Sequence, residues 1–331
     1  MHIPENYLSP QTCAVMTIVM VPVWIHSIKK VNKELPKDKI PMIGVGAAFS
    51  FLAMMFNVPL VGGTTGHAVG GTLIALLFGP DAACIAVSVA LLLQAVIFGD
   101  GGILSFGANC FNMAFILPFI GYYLYKLILK LLKKDNLKNR SIASFISSYV
   151  GLNVAALCCA IEFGIQPLLF KDALGNALYC PYSLSVSIPS MMIPHLLVAG
   201  IIEAIFTVVV YGYIYKSAPN FIYDESLESK QSSNKTIYGL IGALVVLTPL
   251  GLLAIGTAWG EWDVTEVVSM IGYAPKGLAS GFSFNAFMPD YAIEGYNEVL
   301  IYILSAIIGV TLLIIIFKIL GNIMKGKQDI A

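Results

Sequence analysis

The sequence predicts an all-α fold, a polytopic transmembrane helix bundle, and three observations carry that expectation. Of 331 residues, 58% are hydrophobic and only 11% charged, against about 25% charged in an ordinary soluble domain. The apolar residues gather into nine runs, most of them near the roughly 20 residues that cross a bilayer as a helix. When the nine runs are threaded as crossings, the basic residues fall almost entirely on one face. The net charge of zero gives no reason to expect a nucleic-acid partner.

Taken in order, residues 1–10 lack a basic region and a small-residue cleavage site ahead of the first apolar run, so no removable signal peptide is expected. Bulky His2 is expected to leave the initiator methionine in place. The runs fall at Thr12–Ile28, Ile40–Val58, Gly66–Gly79, Ala82–Phe98, Cys110–Leu132, Ile142–Leu169, Ser185–Tyr215, Ile237–Ile255 and Val299–Leu320. The third is short and glycine-rich. Gly62, Gly66 and Gly70 recur every four residues, a spacing that lets membrane helices approach closely, so a crowded helix start is expected there. Residues 98–109, FGDGGILSFGAN, read either as an irregular, re-entrant segment or as a tight turn. Asp224–Asn234, the most polar stretch, reads as a linker. These features divide the chain into a seven-span core (1–220), a linker (221–235) and a two-span extension (236–331). A long outer loop, Gly256–Glu298, lies in the extension and carries six acids against one lysine.

The lysines orient the bundle. Lysines and Arg140 cluster after the first, fifth, seventh and ninth runs, which puts 17 of the 19 basic residues on one face; only Lys171 and Lys276 lie on the other. The positive-inside rule makes the crowded face cytoplasmic. The N-terminus is then outside, the C-terminus inside, and His67 starts the third run at its outer end.

His67, in Gly62-Gly63-Thr64-Thr65-Gly66-His67, is an ionisable residue beside the membrane interior and therefore a candidate functional group. Its candidate partner is the Met1-His2 terminus. The terminal amine, the deprotonated His2 amide nitrogen and the His2 imidazole Nδ1 can close two chelate rings on one metal, and His67 can supply a fourth nitrogen. Four nitrogens in a plane suit Ni(II) or Cu(II), with low-spin Co(II) also suited. The alternative is a frayed His2 and a packing His67. His26 reads as interfacial and His195 as a packing or hydrogen-bonded residue. Glu162 and Glu203 are acids inside spans that face the bundle interior, as charge relays or as structural acids. Asn109, Asn112 and Thr65 are candidates for orienting the ligands through hydrogen bonds. The six cysteines lack a C-x-x-C pair and read as small buried residues. There is no phosphate-binding loop and no hydrolytic signature, so the chain is expected to be no enzyme and to have no cofactor of its own.

The terminus MHIPENYL, GGTTGHAVGGTLIALLFGP at 62–80 and FGDGGILSFGANCFNM at 98–113 resemble the CbiM/NikM family, the substrate-binding membrane subunits of cobalt and nickel energy-coupling-factor (ECF) transporters. The similarity covers about residues 1–220. It implies a seven-span core into which the N-terminus tucks. It also implies Co2+ or Ni2+ as the transported substrate, held by the Met1 amine, the His2 amide nitrogen, the His2 imidazole and His67. The implied partners are a CbiQ/NikQ-like coupling membrane subunit and CbiO/NikO-like cytoplasmic ATPases, in a prokaryotic cytoplasmic membrane. Residues 248–262, TPLGLLAIGTAWGEW, resemble the extension of longer family members, whose two spans match the CbiN/NikN accessory subunit. Two other functions compete. A haem-holding redox enzyme would need paired histidines, which four scattered ones supply poorly. A proton-coupled metal-ion carrier would use Glu162 or Glu203. The sequence does not separate cobalt from nickel.

Overall fold

A computed structural model describes residues 1–36, 39–223 and 235–326; the expected linker at 224–234 and Lys37, Lys230 and Lys327 lie outside the described residues. The chain forms a polytopic helical membrane bundle. Six helices are long and apolar enough to cross a membrane: α1 (Pro10–Glu34), α4 (Pro80–Phe98), α5 (Phe106–Leu132), α6 (Leu137–Leu169), α7 (Leu184–Ser217) and α11, whose apolar span is Glu298–Ile323. Shorter apolar helices are α2 (Ile40–Met55) and α8 (Lys235–Leu247). Between them lie α3 (Gly71–Phe78), α9 (Val264–Ile271) and α10 (Lys276–Ser280).

Helix α2 is the axis. Every residue from Met42 to Met55 is buried, as expected for a helix apolar on all sides. Helix α4 packs along it from the core and α11 from the extension. The α11 approach is close: a Cβ on Gly44 would sit 2.7 Å from Phe317 Cβ, and one on Gly309 would enter the Phe51 ring. The extension is therefore packed into the bundle rather than appended to it.

The third run departs from expectation. It contains only eight helical residues, Gly71–Phe78, or about 12 Å of rise, too little to cross. It is preceded by a hairpin, β1 (Val58–Leu60) antiparallel to β2 (Thr64–Gly66), and then by irregular chain to Gly70. The four-residue glycine spacing is thus not a helix-packing motif. Gly62 and Gly63 have φ of 93° and 77°, the left-handed region that glycine enters without a Cβ clash, and they close the hairpin turn. Non-helical backbone at membrane depth is tolerated where protein or a cavity covers it, and Thr64 and Thr65 are buried.

The two ends of the bundle differ. At one, Lys30 pairs with Asp81 at 2.9 Å, Tyr223 donates to Glu34, and buried Arg140 forks onto Asp135 while donating to Tyr211. At the other, the N-terminus and three loops interlace: Tyr7 donates to the Trp262 carbonyl, the Cys180 N–H to the Tyr7 carbonyl, and the Met288 N–H to the Ile97 carbonyl. Helices α3 and α4 meet at Gly79, whose φ of 88° and ψ of 156° are accessible essentially to glycine alone; a Cβ there would also stand 3.1 Å from the Tyr223 ring. Gly79→Ala is expected to destabilise the purified protein by about 1–3 kcal/mol, read as a lowered thermal unfolding midpoint in detergent.

Candidate metal site

The first three residues enter the bundle and are buried: Met1 is 6% exposed, His2 2% and Ile3 0%. Backbone pairing holds them. Asn109 Oδ1 accepts from the Ile3 N–H at 2.8 Å, and the Ile3 carbonyl accepts from Asn109 Nδ2, the Gly102 N–H and Ser105 Oγ. Glu5 then accepts from the Ile103 and Leu104 N–H groups. The glycine-rich segment before α5 is therefore irregular because it forms a cradle for the N-terminus, with Gly99 and Gly101 at positive φ.

His67 arrives from the broken third run. Its fixing point is Glu203 on α7, whose carboxylate accepts from Val69 N–H at 2.8 Å and from Gly70 N–H at 3.1 Å, while Ser50 Oγ donates to the Val69 carbonyl. An α-helix begins with donors that have no partner inside it; Glu203 satisfies such donors just ahead of α3 and anchors the chain that carries His67.

These two segments bring the imidazoles together. His2 Nδ1 and His67 Nε2 lie 3.2 Å apart. His67 Nδ1 lies 3.1 Å from the Ala68 carbonyl, an atom that only accepts, which assigns the His67 proton to Nδ1 and leaves Nε2 bare. Asp100 Oδ1 is 3.1 Å from His2 Nδ1. Burial, then the charge of the Met1 ammonium, pushes His2 down to about 3. The Met1 amine stands 3.8 Å from Glu261 Oε1; enclosure raises that carboxyl to about 7, with the amine acting the other way. A cavity of about 410 Å³ adjoins the pair, lined among others by His2, Thr65, His67, Asp100, Glu261 and Tyr291.

Among the described residues, no group of three or more His, Cys, Asp or Glu side chains is arranged to hold a metal ion. A set of four nitrogens that includes two backbone atoms needs only two imidazoles, and those two meet. Asn109 anchors the N-terminus, and Thr65 lines the cavity while reaching the Gly256 carbonyl. Asn112 departs from its expected place: it donates to Glu162 at 2.7 Å and belongs to that buried pair. His195 Nδ1 is bonded to the Met191 carbonyl, and His26 is exposed beside Asp81. The sequence reading did not single out Gln94, Asp100 or Tyr291. Gln94 was visible as a lone amide in the apolar run ALLLQAVIF; nothing marked Tyr291.

The fold and this site define a class: a multi-pass membrane protein with a buried, histidine-bearing N-terminus. Residues 2–221 match the family model CbiM, described as cobalt uptake substrate-specific transmembrane region, and residues 233–326 match the PDGLE domain. The chain belongs to the CbiM family. It is 46% identical over 326 residues to the probable fused nickel transport protein LarMN of Lactiplantibacillus plantarum, covering 96% of this chain and 97% of that one. It is 44% identical to the fused nickel transport protein NikMN of Rhodobacter capsulatus, with 95% of each covered. A solved truncated transition metal transporter is 56% identical, with a TM-score of 0.62, over 65% of this chain and 99% of that one.

Asn109→Leu removes both side-chain bonds to Ile3. It is expected to cost about 2–3 kcal/mol and to expose the first residues to added protease while residues 10–36 stay protected, checked by limited proteolysis with mass spectrometry.

Proposed function

We propose that the chain is the substrate-capture component of an ECF-type, ATP-driven importer of Co2+ or Ni2+. The ligands are the Met1 amine, the His2 backbone nitrogen, His2 Nδ1 and His67 Nε2. One observation carries the ligand set: an imidazole nitrogen of buried His2 and one of half-buried His67 face each other at 3.2 Å with a carboxylate oxygen beside them. Metal–imidazole bonds are about 2.0–2.1 Å, so two nitrogens this far apart can share one ion. The Met1 and His2 nitrogens follow by covalent connection. A planar nitrogen set suits Ni(II) and low-spin Co(II) over an oxygen-seeking ion.

The names of the relatives, nickel transport for the fused ones and cobalt transport for the CbiM protein of Thermosipho melanesiensis, support the cargo. The lysine-rich end is the cytoplasmic one, so the site opens outward. Residues 1–220 are the capture core and 236–331 a CbiN-like part carried in the same chain, in place of a separate accessory subunit. A CbiQ/NikQ-like subunit and CbiO/NikO-like ATPases supply coupling and energy, in keeping with the lack of a phosphate-binding loop in this chain. The proton-coupled alternative has less support, because Glu203 is committed to backbone donors.

Purified native protein is expected to hold one Co2+ or Ni2+ tightly. Loss of a second-sphere hydrogen bond costs metal sites 10–100-fold, so His67→Ala, which removes a ligand, should lose more than about 100-fold in affinity by titration. Equal metal content in native and variant protein would make His67 a packing residue.

A further inference from the structure

Glu162 and Asn112 form a buried pair that the ligand set does not use. Glu162 on α6 is 6% exposed and Asn112 on α5 0%. Asn112 lies in the π-helical stretch Cys110–Ile116, a distortion that often marks functional positions. Its Nδ2 donates to Glu162 Oε2 at 2.7 Å, while Glu162 Oε1 and Asn112 Oδ1 are buried without a hydrogen-bond partner. An ionised carboxylate and an amide oxygen only accept. As an anion, Glu162 would therefore leave two unpaired acceptors on adjoining groups, each buried at a desolvation cost. One proton on Oε1 removes both deficits. The carboxyl becomes a donor, and Asn112 Oδ1 belongs to the same amide that already holds Oε2. A planar acid and a planar amide can then close on each other through two hydrogen bonds.

No cation offsets a charge at this place. Among the described residues, Glu162 takes part in no ion pair. The titratable groups near it are thiols, Cys13 on α1 and Cys158 and Cys159 on α6, which cannot balance a negative charge. The charged or ionisable groups of the other packed elements are engaged elsewhere. On α7, His195 is bonded to the Met191 carbonyl and Glu203 to the Val69 N–H. In the N-terminal segment, the Met1 amine stands by Glu261, and Glu5 accepts from Ile103. Asp81 on α4 is paired with Lys30, and Arg140 at the opposite end of α6 with Asp135. A buried carboxylate without a counter-charge takes up a proton rather than remain ionised.

We propose that Glu162 holds a proton and, as a neutral acid–amide pair with Asn112, is a positioning residue that ties α5 to α6 where both helices grip the metal-binding N-terminus. Cys159, Glu162 and Gln166 lie three and four residues apart and so share one face of α6. Cys159 Sγ donates to the Met1 carbonyl at 3.8 Å. Gln166 accepts the Ser9 N–H at 3.0 Å, and its amide donates to Thr12 Oγ1 and to the Glu162 carbonyl. The N-terminal segment is thus fastened to this face on either side of Glu162. On α5, Asn109 stands three residues before Asn112 and holds Ile3 through both of its side-chain bonds. The Glu162–Asn112 pair fixes the two grips relative to each other. The positioning role rests on the ligand set proposed above, and the proton does not.

The test compares the full-length native chain with Glu162→Gln, Glu162→Leu, Asn112→Leu and His67→Ala at neutral pH. Infrared difference spectra of metal-free protein, native minus Glu162→Gln, read the carbonyl stretch of a protonated carboxyl group, and Ni2+ and Co2+ affinities are titrated. The band is expected in the native protein and missing from Glu162→Gln. A glutamine offers Asn112 the same donor and acceptor as a protonated glutamate, so Glu162→Gln is expected to bind within about twofold of native. Glu162→Leu and Asn112→Leu break the pair and are expected to weaken binding about fivefold or more. Carboxylate bands in the difference spectrum, or a Glu162→Gln protein that binds as weakly as Glu162→Leu, overturn the assigned proton. Native affinity in both leucine variants overturns the positioning role if His67→Ala has lost its metal. Retention of metal by His67→Ala overturns the ligand set beneath it, and the infrared spectrum still decides the proton.

Discussion

Two imidazole nitrogens held 3.2 Å apart in a buried site set the terms for the rest of this structure. The surroundings hold each ring from behind. For His67 the restraint is local, through the Ala68 carbonyl, and then longer-range through Glu203, which takes two backbone N–H groups just beyond it. For His2 the restraint is the paired backbone of Ile3 in its cradle and the Asp100 carboxylate beside Nδ1. On the proposed ligand set, a site so arranged leaves little reorganisation for metal binding to drive.

The bundle provides this rigidity at the places where helices are least regular. The third run is broken into hairpin and half-helix so that backbone, not side chains alone, reaches the bundle interior. Three π-helical stretches, at Gln94–Phe98, Cys110–Ile116 and His195–Ala199, contain the buried polar residues Gln94, Asn112 and His195. The extension closes the end that holds the N-terminus. Tyr7 donates to Trp262, Asn6 to Phe282, and Glu261 stands by the Met1 amine. Since α11 also lies against the central α2, the extension is secured at the axis of the bundle and reaches over the N-terminus from there.

Much of this was legible in the sequence because hydropathy is local. The long apolar runs became helices. The Met1-His2 terminus and His67 were marked by residue type, being strong nitrogen donors in an apolar chain, and the fold does bring them together. What could not be read depended on backbone conformation or on distant partners. The glycines at 62, 66 and 70 have a helix-like spacing, yet Gly62 and Gly63 adopt positive φ, which spacing does not encode. Glu203 is 133 residues from the Gly70 N–H it satisfies, and Tyr291 is 197 from Gln94. Asn112 shares a motif with Asn109 but projects to Glu162, because a few residues along a distorted helix turn a side chain to another face.

On the proposed ligand set the Met1 amine is itself a metal ligand, in keeping with the burial of Met1 at 6% exposure. The most direct measurement is Ni2+ and Co2+ affinity after one alanine is added ahead of Met1, with thermal stability recorded in parallel. The account expects a folded protein that has lost tight binding, because the added residue turns the amine into an amide and shifts the chelate. Tight binding of native affinity by the extended protein would contradict it and remove the amine from the ligand set.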